Sequence, residues 1–514
     1  MLQAGKPSSS YNDNAYMSAT VAIAKVPGSS NKAGLAFWMQ QVLEECHHAS
    51  IDFAPDPVHD LRVALRRCRS MADGLMAMDP DPPWKEMKKA GKQLFSRLGE
   101  LRDVQVMEEW ARRLGDPGDP VTAALLRFLL SREGQLKQDA AKALQEFDHK
   151  QWRRWSTALP RRAIRMRTKG GLFKHLALER WTEAQELHRR AVRNGSQAAF
   201  HRLRIGLKRF RYIVENFLPV QHAAWSDDLK ELQDLLGEVH DLDVLWATLL
   251  QINALPDEEA RSRWHSRIIK ERNFRIEKYR AKMVGRTSLW QAWRAELPTG
   301  KQIEAAALSR LKLWASFLDP DFTHSLHVTR LTLQLYDGLQ ERGLHEKDRE
   351  QRAILQLAAL LHDVGRSKGE KKHHKATCRL IQKLKPPLGC SAERLRLAGI
   401  VARYHRRALP RGGQKTLAGL YPGQRQNILK LAGILRLANA FDTARDGRIQ
   451  RLAVSEQNGV LTIAAHGYSP RDRMAEGIAA ARHLLETVYR SPVMVKPLRV
   501  AKLRTGNRQP RTAR

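Results

Sequence analysis

One phrase occurs twice in this chain, and that duplication constrains the fold more than any other feature. His59-Asp60-Leu61-Arg62-Val63-Ala64-Leu65-Arg66-Arg67-Cys68-Arg69 returns as His201-Arg202-Leu203-Arg204-Ile205-Gly206-Leu207-Lys208-Arg209-Phe210-Arg211, giving the shared pattern H-x-L-R-x-x-L-[RK]-R-x-R. A second phrase follows each copy after a similar interval, Leu98-Gly99-Glu100-Leu101-Arg102-Asp103 and Leu236-Gly237-Glu238-Val239-His240-Asp241. Two motifs in the same order, twice, mark an internal duplication, so the fold must accommodate two like halves.

The spacing assigns faces. At about 100° per residue on a helix, His59, Arg62, Arg66 and Arg69 fall within roughly 80° of one another, beside a stripe of Leu61, Leu65 and Cys68. The second copy places His201, Arg204, Lys208 and Arg211 on one stripe and Leu203, Leu207 and Phe210 on the other. Cations and core contacts therefore separate. A solvated basic face explains most such runs, but like charges one turn apart repel, and two halves facing each other would merge the stripes into one groove. Stacked Arg and Lys match phosphate oxygens, Arg as a fork and Lys as a point charge. Nucleic acid and inorganic polyphosphate both satisfy that chemistry. The stripes offer few aromatic rings beyond Phe210 and Tyr212, which weighs against single-stranded nucleic acid and its stacking platforms.

These duplicated helices, each followed by L-G-x-x-x-D, resemble the CHAD domain, the conserved-histidine α-helical domain, over about residues 31–295. The resemblance implies a mainly α fold of two pseudo-symmetric helical bundles, about 31–150 and 171–295, around a basic cavity that binds polyphosphate. Carried over position by position, it nominates His59, Arg62, Arg66, Arg69, His201, Arg204, Lys208 and Arg211 as ligand contacts. Asp103 and Asp241 read as structural partners that orient the basic side chains.

Composition sets the partner class. Lys and Arg number 89 against 54 Asp and Glu, a formal charge of +35 that calls for a polyanion. The length fits roughly two to four domains. Cys46, Cys68, Cys378 and Cys390 show no metal-binding or C-x-x-C spacing, so reduced buried thiols and a cytoplasmic setting are expected, with polyphosphate granules as a place of encounter. No apolar run has the length of a signal peptide core or a membrane span. Residues 1–30 read as a disordered arm and 496–514 as a basic tail. Helical periodicity fills residues 35–294, broken at Pro80–Pro83, Gly115–Pro117, Thr168–Gly171 and Leu255-Pro256. Trp110, Trp152, Trp155, Trp181 and Trp246 lie on apolar faces and are expected in the core. A basic cluster from Arg153 and Arg154 through Arg161, Arg162, Arg165, Arg167 and Lys169 is either an extension of the groove or a solvated connector.

After the break at Glu296–Lys301 the chain changes character. Histidines scatter through the helices, residues 449–465 alternate around Asn458-Gly459 as a β-hairpin, and an amphipathic helix is expected from about Pro470 to Tyr489. The run Leu355–Gly365 sets His362-Asp363 at the end of an apolar helix with a glycine behind it. It resembles the HD superfamily of phosphohydrolases, where histidines and aspartates hold divalent metal. Within that superfamily, residues 302–495 are most similar to the HD-like C-terminal domain of the exopolyphosphatase and guanosine pentaphosphate phosphohydrolase family. The matching segments are His324–Leu331, His362-Asp363, His373-His374-Lys375, Ala402–Arg406 and Leu435–Asp442. The resemblance nominates His324, His362 and Asp363 as metal ligands for Mn or Mg, with His373, His374, His405, Asn439 and Asp442 as further members, and Asp363 as the catalytic carboxylate.

The chain departs from that pattern at two places. Asn439 stands where metal-binding members carry aspartate, with Asp442 one turn on, and Ala376 stands where a third histidine is expected. The hydrolytic centre of that family resembles an actin-like module, whose Gly-rich phosphate loop has no counterpart here. The E-x-E-x-K pattern of the triphosphate-tunnel enzymes that accompany CHAD domains is also missing. The reading that follows is a polyphosphate-binding protein with an HD-like second phosphate-handling module. The alternatives are a metal-dependent HD-type phosphohydrolase acting on polyphosphate or nucleotides, and a nucleic-acid-associated protein, for which no recognition motif is present.

Overall fold

The first bundle starts where proline and glycine allow. In the computed structural model, which describes residues 34–166, 170–407, 409–411 and 413–498, four helices make one half: α1 (Leu35–Ala49), α2 (Pro55–Leu75), α3 (Pro82–Leu114) and α4 (Pro120–Gln145). α2, α3 and α4 each carry proline in the first turn, where its missing N–H costs nothing. Asp119 caps α4 by accepting from the Thr122 amide, 3.3 Å. After α5 (His149–Ile164), the order repeats as α6 (Gly170–Asn194), α7 (Gln197–Phe217), α8 (Pro219–Gln251) and α9 (Glu258–Met283), closed by α10 (Leu289–Ala295).

Packing restates the duplication. Sequential helices pair within each half, and the halves meet through α2 against α7 and α3 against α8. The two motif helices of each copy are therefore the ones at the junction. Leu61, Leu65 and Cys68 are fully buried, as are Leu203, Leu207 and Phe210, so the apolar stripes face the core and the cationic stripes are left at the cleft. Trp110, Trp152, Trp155 and Trp181 are buried, and Trp246 is half-buried against His265. All four cysteines are buried and free.

A second apolar core, running from Ala307 to Val493, is separate from the first. It comprises α11 (Lys301–Leu318), α12 (Phe322–Glu341), α13 (Arg349–Leu361), a short 3-10 helix (Val364–Lys368), α14 (His373–Lys383), α15 (Ala392–Arg403), α16 (Pro422–Ala440) and α17 (Met474–Tyr489). Strands β1 (Leu452–Gln457) and β2 (Val460–Ala465) form the antiparallel hairpin around Asn458-Gly459, both at positive φ. A third strand, β3 (Val493–Pro497), adds parallel to β2. Lys496 and Pro497 thus end a strand rather than open the tail. The expected arm, most of the tail, Arg167 and Lys169 lie outside the described residues. Among the described residues no helix is long and apolar enough to cross a membrane.

The two cores are joined by a buried polar junction. Arg310 of α11 pairs with Glu179 of α6 at 2.6 Å and donates to His175 Nδ1 at 3.1 Å. His175 Nε2 donates to the Leu388 carbonyl, 2.8 Å, while the Leu388 amide returns to Glu179, 2.8 Å. The basic cluster on α5 serves the same side. Arg162 pairs with buried Asp79, and Arg162 and Arg165 both cover the ring of Phe317. These two arginines thus pack against Phe317 of α11 rather than standing free in solvent.

Candidate functional sites

The cleft between the halves collects cations from both motif copies. Arg62 and Arg66 of α2 share one field with Arg204 and Lys208 of α7, together with Asp103 of α3 and Asp241 of α8. Crowding has titration consequences. Burial, followed by Arg204 and Arg66, brings the Lys208 ammonium down to about 7. Burial raises Asp241 to about 6 despite Arg204 and Lys208 nearby, and raises Asp103 as well. Neither aspartate makes a hydrogen bond or ion pair to the motif cations among the described residues. The expected orienting contacts from Asp103 and Asp241 are therefore not made among the described residues, because both carboxylates share the field without reaching a cation.

Contacts that do orient the stripe come from elsewhere. Arg62 donates to the Phe95 carbonyl at 3.2 Å, and both Arg62 and Arg69 lie over the Phe95 ring, 4.9 and 4.5 Å from its centroid. Gly99 explains the glycine of the second phrase in the first half, since a Cβ there would stand 2.6 Å from Arg62 Nη1. Gly237 has open space at the same position. Arg211 turns toward Glu215, 3.9 Å away, a carboxylate it shares with Arg67. His201 meets His240, Nδ1 to Nδ1 3.4 Å, and burial lowers His240 to about 4. At His59, partial burial and then the nearby Arg66 and Arg102 lower the pKa. Phe95, Arg102 and His240 were not among the expected contacts, although Arg102 and His240 hold equivalent places in the second phrase.

The second site is a buried histidine nest. Asp363 Oδ1 lies 3.1 Å from His373 Nε2, 3.7 Å from His405 Nε2 and 3.8 Å from His362 Nε2. Each ring is fixed from behind: Nδ1 donates to the carbonyl three residues earlier, His362 to Ala359 at 2.7 Å, His405 to Ala402 at 2.7 Å and His373 to Glu370 at 3.0 Å. A neutral imidazole so held carries its lone pair on Nε2. Three Nε2 atoms thus surround one carboxylate oxygen, His373 and His405 on one side and His362 beside His324 on the other, and the buried His362 Nε2 has no hydrogen-bond partner. Such a donor set calls for a cation. His324, His362 and Asp363 form one candidate trio for a metal ion and Asp363, His373 and His405 another, so the residues fit a divalent metal of the borderline or hard class.

His324 is oriented by Asp442, Nδ1 to Oδ2 2.6 Å, with Asn439 Oδ1 3.2 Å from its Nε2. Asp442 therefore holds the His324 ring from behind. His374 turns out of the nest. Gly365 lets the helix approach, because a Cβ there would meet the His373 carbonyl at 2.2 Å and the Thr377 amide at 2.4 Å. Two arginines absent from the expected set reach Asp363 on its other oxygen: Arg445 at 2.8 Å and Arg366 at 3.5 Å. Burial pushes the Asp363 carboxyl up, but the hydrogen bonds from His373 and the Arg445 guanidinium outweigh it and hold it far below the usual range. Burial keeps His362 and His405 low, which favours the neutral rings a metal needs. Above the nest opens a cavity of about 430 Å3 whose wall includes Arg366, Arg406, Arg407, Arg436 and Arg445.

Comparison with known proteins assigns both regions. Residues 38–250 match the CHAD domain model, and residues 307–464 match the model of Ppx/GppA phosphatase, domain III. Among solved structures, the crystal structure of the CHAD domain from the plant Ricinus communis is 22% identical, with 51% of this chain and 90% of that chain covered and a TM-score of 0.36. No curated protein matches the chain.

Proposed function

We propose that this chain, a CHAD domain followed by a Ppx/GppA-type domain III, binds inorganic polyphosphate in the cleft between its two helical halves. Residues 31–295 are the grip and 302–495 a second phosphate-handling module, in a cytoplasmic setting. The observation that carries the reading is the meeting of Arg62, Arg66, Arg204 and Lys208 in one crowded field, where burial, Arg204 and Arg66 bring Lys208 down to about 7. Evenly repeated phosphates supply a counter-anion along the whole row. A polyanion relieves like-charge repulsion, and Arg62, steadied by Phe95, is already in place to receive it. The test is charge reversal of Arg62, Arg66, Arg204 and Lys208 to Glu in the full chain. Calorimetry with long-chain polyphosphate should find binding abolished while circular dichroism finds helical content intact. Unchanged affinity would refute the groove.

A metal-dependent phosphohydrolase is the second reading, and the convergence of three Nε2 atoms on Asp363 favours it. His324, His362, Asp363, His373 and His405 would hold the metal, which when bound supplies Lewis acidity toward a phosphoryl oxygen. The chain's own part is to fix the tautomers from behind and to gather phosphate at the arginine wall. Phosphate release that requires manganese and disappears in Asp363→Ala supports this reading.

A further inference from the structure

His373 and His374 are neighbours in sequence, yet a helix turns about 100° between them. His373 enters the nest; His374 faces a different cleft, of about 320 Å3, lined also by Lys375, Arg403, Tyr404, Gln414, Lys415 and Thr416. The chemistry of this second lining is one-sided. Three of its residues are cations, the others are neutral donors or amphoteric groups, and no acidic residue lines it. His374 is 93% buried, its side-chain Nδ1 lacking any hydrogen-bond partner. With Nδ1 shut off from solvent, the ring edge left to meet a ligand in the cleft is Nε2, and a buried imidazole without partners costs free energy unless a ligand answers it. The start of α14 adds to the positive potential, since no side chain caps the helix and its N-cap, Lys372, is itself a cation in the left-handed region, φ 62°.

We propose that this cleft is a phosphate-binding site, separate from both the CHAD groove and the histidine nest, in which His374, Arg403, Lys375, Lys415 and the Thr416 hydroxyl hold a tetrahedral oxyanion. A neutral imidazole N–H, a guanidinium fork and two ammonium groups all donate, and phosphate accepts at every oxygen. A carboxylate ligand would leave some of these donors unused. A divalent cation would meet three positive charges and no carboxylate. The occupant is either free orthophosphate or one unit of a polyphosphate chain, and the cleft has room for both.

The test uses the full chain carrying 15N-labelled histidine. The His374 imidazole resonance, identified by its loss in His374→Gln, is followed as orthophosphate or tripolyphosphate is added. A saturable shift is expected, and in the Arg403→Gln/Lys415→Gln variant the half-saturating concentration should rise at least tenfold. Equal response to orthophosphate and tripolyphosphate assigns the site to the free anion; response to tripolyphosphate alone assigns it to the chain. A tungstate-soaked crystal gives an independent readout, with anomalous density expected within hydrogen-bond reach of His374 and Arg403. No saturable shift with either ligand, a shift undiminished in the double variant, or a cleft left empty by tungstate while the groove fills would each overturn the proposal.

Discussion

Lys208 gives the groove a protonic signature. Unliganded, burial and the neighbouring Arg204 and Arg66 set its ammonium at about 7. At about pH 7.5 only about a quarter of the molecules then carry the proton, and a polyanion that restores an ordinary lysine draws in roughly 0.8 proton per groove. The sign follows. Because the bound state holds more protons than the free state, affinity falls as pH rises, by up to about tenfold per unit from about pH 7.5 toward 9.5. Below the free Lys208 value the dependence flattens, and Asp241, at about 6, adds a gain of the same sign as it becomes neutral. Calorimetry of polyphosphate binding in two buffers of different ionisation enthalpy reads the uptake directly. Lys208→Arg, which stays charged, should bind as tightly and lose most of the buffer dependence near pH 7.5. An enthalpy that does not vary with buffer in the native chain, or that varies equally in Lys208→Arg, would refute the idea that the groove stores uncompensated charge.

The glycines of the repeat supply an internally controlled pair. Gly99→Ala forces the tip of Arg62 aside and should weaken polyphosphate binding by about tenfold, the loss of one charge-assisted contact, with little change in Tm; Gly237→Ala, with nothing within 4 Å, should leave binding unchanged. At the nest, Asn439→Asp adds a negative charge beside His324 and should tighten Mn2+ binding by at least about tenfold, measured by electron paramagnetic resonance. Arg445→Gln should act in the same direction by releasing the second oxygen of Asp363, and Asp363→Ala should abolish the site. Polyphosphate binding should weaken steeply with added salt, and long chains should displace duplex DNA at equal phosphate concentration, as seen in a competition gel.

Helical periodicity carried a large part of this architecture in the sequence because the repeat separates its faces so cleanly. Leu61, Leu65, Leu203 and Leu207 could be assigned to the core, and the cations to a separate face, from spacing alone. Period does not say which residue of a neighbouring helix lies underneath, so Phe95 went unnoticed as the platform for Arg62 and Arg69. The pair His373-His374 shows the same limit from another side: adjacency made both candidates for one site, and the helical turn sends only one there. Arg445 was illegible for a different reason. It sits in a loop after α16 with φ 58°, and its partners Asp363 and Asp321 lie 82 and 124 residues away. Strand β3 was missed because a short parallel pairing with β2 depends on a helix returning the chain, not on any pattern within Val493–Pro497.

The buried junction of Arg310, Glu179, His175 and Leu388 changes the arithmetic of binding. With α11 anchored to α6, the groove and the arginine-walled cavity sit at a set separation rather than at the ends of a loose tether. A polyanion long enough to reach both gains avidity, because its second attachment is intramolecular and proceeds at a high effective concentration. A shorter one gains nothing. Retention should therefore show a threshold in chain length, fixed by the span of the molecule, and loosening the junction with Arg310→Ala should blur that threshold without altering the affinity of short chains for either site.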